Sequence, residues 1–103
     1  MVELDEIQKQ VAENNVLREL GRLILIRKDY GEKKWAIAVG GVVASNLIVS
    51  KSKNAGYVAD AVLENLKPIL DEIKTSSFLS QMFVEGITTE MTERGYFSEQ
   101  LNK

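Results

Sequence analysis

Asp60 and Glu64 are the two side chains whose spacing comes nearest to a chemical site: two carboxyl groups one helical turn apart. At that separation a pair of acids can share a proton or hold a divalent ion. Both stand beside Lys67 on the side opposite a run of apolar residues, where charge is normally solvated, so the pair is read as decoration of a helix surface. The chain has neither cysteine nor histidine. This excludes thiolate nucleophiles, disulfides and zinc-thiolate sites, and it removes the commonest general base and transition-metal ligand. A metal site would have to be all oxygen, and no Asp-rich loop of the calcium-binding kind is present. Gly40 and Gly41 lack the following Lys-Ser/Thr or the spaced third glycine of a phosphate-binding loop, so they are read as packing residues. No catalytic residue, cofactor or metal site is assigned, and the protein is read as a non-enzyme.

A second constellation is basic. Arg18, Arg22, Arg27, Lys28, Lys33 and Lys34 lie within one stretch, and from Leu17 to Lys53 eight basic residues face three acidic ones. From Tyr57 onward the balance reverses to four basic against eight acidic residues. The six cations are candidate contacts for phosphates, as in a small nucleic-acid-binding regulator. The net charge of −2 opposes that reading, because a nucleic-acid binder is usually basic overall. So uneven a chain can also bind its own copies, or offer one basic face to an acidic protein.

The third constellation is apolar. Trp35 to Val49, WAIAVGGVVASNLIV, is fifteen residues without a charge, flanked by Lys33, Lys34, Lys51 and Lys53. A membrane span needs about 20 apolar residues, so membrane insertion is set aside and a buried core element is expected. Trp35, Phe78, Met82, Phe83, Tyr96 and Phe97 are the candidate partner-binding residues, since four short helices have little capacity to hide so much apolar surface.

These groups need elements to position them. A chain of 103 residues is expected to form one domain, residues 1–103, with a short tail from 96 to 103. Leu4, Ile7 and Val11 predict a first helix over 3–13, interrupted at Asn14 and Asn15. Val16, Leu17, Leu20, Leu23 and Ile24 predict a second, ended by Gly31. Ala36, Gly40 and Ala44 fall four apart, a ridge of small residues on which another helix can pack closely. Val58, Val62, Leu66, Leu70 and Ile73 predict a helix over 55–74 that is kinked or broken near Pro68. Thr75, Ser76 and Ser77 offer caps for a last helix bearing Phe78, Leu79, Met82, Phe83, Ile87 and Met91, stopped at Arg94-Gly95.

The expected fold is mainly α, a bundle of four to five helices around a buried central apolar helix. The alternative is α+β, in which residues 22–50 form a small antiparallel sheet around an Asp29–Glu32 turn, preceded by one helix and followed by two. The expected function is non-enzymatic protein–protein interaction, by a homo-oligomer or a small adaptor subunit of a larger assembly, in the cytoplasm.

Overall fold

The computed structural model describes residues 2–95, and the side chains of residues 6–95. It is an all-helical bundle in the order α1 (Val2–Tyr30), α2 (Glu32–Val49), α3 (Gly56–Asn65), α4 (Lys67–Ile73) and α5 (Ser77–Glu93). The mainly α expectation holds, and no strand occurs among the described residues, so the sheet alternative is withdrawn. The molecule measures 45 × 41 × 21 Å. Its thickness is that of two helix layers, each about 10–12 Å across.

The punctuation of the chain follows local chemistry. Gly31 separates α1 from α2 with φ 91°, a left-handed conformation that glycine adopts without strain. Pro68 lies in the first turn of α4, where its missing amide costs nothing, and the helical run over 56–73 breaks at Leu66. Ser76 caps α5, its Oγ accepting from the Leu79 amide at 3.2 Å. Gly95, with φ 82°, follows the end of α5.

One boundary needs correction. Asn14 and Asn15 do not interrupt the first helix, and α1 runs unbroken for 29 residues. The Asn15 side-chain amide donates back to the Val11 carbonyl at 2.9 Å, and its Oδ1 accepts from Arg18. Both bonds are made within the helix, so the side chain supports the local turns and does not start a new one.

The apolar helix α2 is the centre, packed against α1, α3 and α5, while α4 bridges α3 and α5. Trp35, Ala36, Val39, Val42, Val43 and Ala44 are buried on it, and Leu23, Val62, Leu66, Ile73 and Leu79 complete the core from the other four helices. The small-residue ridge does the work expected of it: α5 lies on α2 more extensively than any other pair of helices in the molecule. A Cβ on Gly40 would stand 2.1 Å from the Phe83 carbonyl oxygen, and one on Gly86 would stand 1.9 Å from that of Ile37. Here the two backbones touch, and only glycine fits. Gly86, the counterpart on α5, has no signal of its own in the sequence beyond its helical register with Met82 and Phe83.

Candidate interaction surface

The inward face of α1 carries Ala12, Val16 and Leu23, all buried, with Leu20 and Ile26 packed beside them. The helix needs no more apolar residues than these to join the bundle. Yet Leu17, Ile24 and Leu25 stand on its outer side with 68, 66 and 58% of their surface exposed. Ile7 and Val11 are exposed toward the start of the same helix. A soluble surface carries single exposed aliphatic residues routinely, whereas several along one helix face mark a surface that another protein can cover. Beside Leu17, α1 and α3 enclose a shallow cleft of about 430 Å3, with Ala12, Val16 and Ala61 as its apolar wall and Lys9, Glu13 and Asn65 at its rim.

The sequence pattern places Leu17 and Ile24 in the same core-facing stripe as Val16, Leu20 and Leu23, and so does not mark them as partner contacts. That stripe is too wide for one packed face. At 100° per residue, Leu17 and Ile24 point well away from Val16 and Leu23, and two layers of helices cover only one side of α1.

The residues proposed from sequence as partner contacts disperse. Trp35 is 2% exposed and belongs to the core. Its indole face is covered by the Arg27 guanidinium, 4.0 Å from the ring centroid. Met82 and Phe83 are half-buried against the core. Phe78, two residues after the Ser76 cap of α5, is exposed and lies off the apolar stripe expected to hold it. Tyr96 and Phe97 lie outside the described residues.

The basic set is largely engaged within the chain. Arg22 pairs with Glu19 at 3.3 Å, and Arg18 is bonded to Asn15. Arg27 bridges Glu32 at 3.2 Å and Glu72 at 2.5 Å, tying α1 to both α2 and α4. The hydrogen bond from Arg27 holds the Glu72 carboxyl below its ordinary pKa, and the bonds to Glu72 and then Glu32 raise that of Arg27. Lys34 reaches over Tyr30, 5.9 Å from the ring centroid, while Lys28 and Lys33 are exposed. Of the carboxylate pair on α3, Asp60 is exposed and Glu64 bonds Lys67 at 2.9 Å.

A second cleft, of about 410 Å3, opens where α2 is left uncovered between α1 and α5. Ile37, Ala38 and Gly41 form its floor, with Glu19, Arg22 and Glu90 around it. On its far side Arg94 bonds both Glu90, at 2.6 Å, and the Ser45 hydroxyl, at 2.8 Å. These charges neutralise one another across the opening and leave no single sign to select a ligand.

The fold and its surface define the chain as an all-helical bundle with an apolar outer helix face. No helix among the described residues is long and apolar enough to cross a membrane. No protein-family model, curated protein or solved structure matches the chain.

Proposed function

We propose that this protein is a non-enzymatic protein–protein interaction module, acting in the cytoplasm as a homo-oligomer or a small subunit of a larger assembly. One observation carries the reading: the outer face of α1 holds Leu17, Ile24 and Leu25 more than half exposed, although the bundle core is complete without them. Covering those three side chains removes apolar surface from water at about 25 cal/mol per Å2, a driving force for association that the monomer leaves unused. Arg22 and Arg27 spend their charge on Glu19, Glu32 and Glu72, which supports a protein partner over a phosphate backbone.

Light scattering across a concentration series tests the self-assembling form of this reading. The mass should rise above the 11.5 kDa of one chain as concentration increases. A mass fixed at one chain at every concentration contradicts self-assembly.

A further inference from the structure

We propose that the outer face of α1 is a two-fold interface, in which a second copy of α1 packs antiparallel with Leu17 of each chain against Ile24 of the other. The inference rests on the interaction reading above and names its occupant. Glu13, Leu17, Leu20, Ile24 and Lys28 recur every three or four residues, the spacing of a helix-to-helix seam. Leu17 and Ile24 are the most exposed aliphatic residues on it, and Leu20 between them already packs on the core and so anchors the seam to the bundle.

Charge selects both the occupant and its direction. Opposite charges flank the apolar pair on this face, Glu13 one turn before Leu17 and Lys28 one turn after Ile24. A parallel copy would set Glu13 beside Glu13 and Lys28 beside Lys28, whereas an antiparallel copy sets Glu13 of each helix beside Lys28 of the other. A centre between Leu20 and Gly21 brings Leu17 to the partner's Ile24 and Glu13 to the partner's Lys28 in the same step. Neither Glu13 nor Lys28 makes an ion pair within the chain among the described residues. Gly21 stands next to that centre, with nothing within 4 Å of where its Cβ would be, so a second helix has room to approach there. In this register about 20 residues of each α1 overlap over about 30 Å. Such a contact is at the small end of stable interfaces, so a dissociation constant on the order of micromolar is expected.

Charge exchange distinguishes this seam from any other association. Glu13→Lys and Lys28→Glu should each weaken the dimer roughly tenfold, since each creates two like-charged contacts across the two-fold. The double variant should recover the wild-type constant. Leu17→Glu should weaken it by about 100-fold or more, with circular dichroism unchanged because the side chain is exposed in the monomer. Single cysteines in this cysteine-free chain fix the direction. Gly21→Cys should be joined to its copy by a short bis-maleimide linker, whereas Gln10→Cys and Lys28→Cys should not, because their copies lie more than about 20 Å apart along the antiparallel pair.

A dimer that survives Leu17→Glu, or single charge variants that the double variant fails to rescue, overturns the α1 seam and leaves the self-assembly reading standing. Cross-linking at all three cysteines overturns the antiparallel direction. A wild-type chain that stays monomeric into the hundred-micromolar range, well above that dissociation constant, overturns both readings together.

Discussion

The seam between α2 and α5 and the outer face of α1 are built on opposite terms. At the first, the backbones meet through Gly40 and Gly86 and water is excluded. At the second, Gly21 faces open space and Leu17 and Ile24 point into solvent. The same residue type thus serves two purposes, and only its surroundings tell them apart. In α5 glycine is required by a neighbour already present; in α1 it leaves space that nothing in the chain fills.

Substitutions that exchange these roles test the difference. Gly86→Ala should have the largest effect, a loss of about 3 kcal/mol, because the added methyl meets the backbone of α2 and the helices must part. Gly40→Ala should behave in the same way, and chemical denaturation of each variant is the check. Removing the Ser76 cap with Ser76→Ala should cost about 1 kcal/mol, since the Leu79 amide loses its acceptor. Gly21→Ala should have the opposite sign in the dilute monomer, a gain of about 0.5–1 kcal/mol from helix propensity alone. A loss as large as that at Gly86 would mean that α1 is already closely packed at this point. Leu17→Glu should change the stability of the dilute monomer least, within about 0.5 kcal/mol.

Acid probes the charged corner between the two regions. Glu72 is depressed by Arg27, so its contribution is fully present above the ordinary carboxylate range and is lost as pH falls through its lowered folded-state value. Glu72→Gln should therefore destabilise the protein at neutral pH, and its difference from the wild type should shrink on acidification. Equal differences at neutral and strongly acid pH would show that Arg27 and Glu72 are not coupled in solution.

Much of the bundle was legible in the sequence because its signals are local. Gly31, Pro68, Ser76 and Gly95 each act on their own backbone, and the uncharged run of α2 has to be buried whatever surrounds it. The small-residue ridge at Ala36, Gly40 and Ala44 was readable for the same reason. The interaction surface was less so. Exposure depends on which faces the rest of the chain covers, and the apolar pattern of α1 is compatible with burial on either side. Trp35 shows the converse error: counted with the apolar surface left over for a partner, it is inside, roofed by Arg27. The break at Asn14 and Asn15 was expected from cap propensity, which takes no account of an asparagine bonding back into its own helix.

Residue-resolved amide exchange, in dilute and in concentrated protein, tests most directly the contrast between a seam closed within one chain and a face closed by a second. The expected result is slow exchange across residues 36–44 of α2 at either concentration, with residues 17–25 of α1 exchanging faster when dilute and gaining protection on concentration. Equal protection of the two segments, unchanged by concentration, would contradict it.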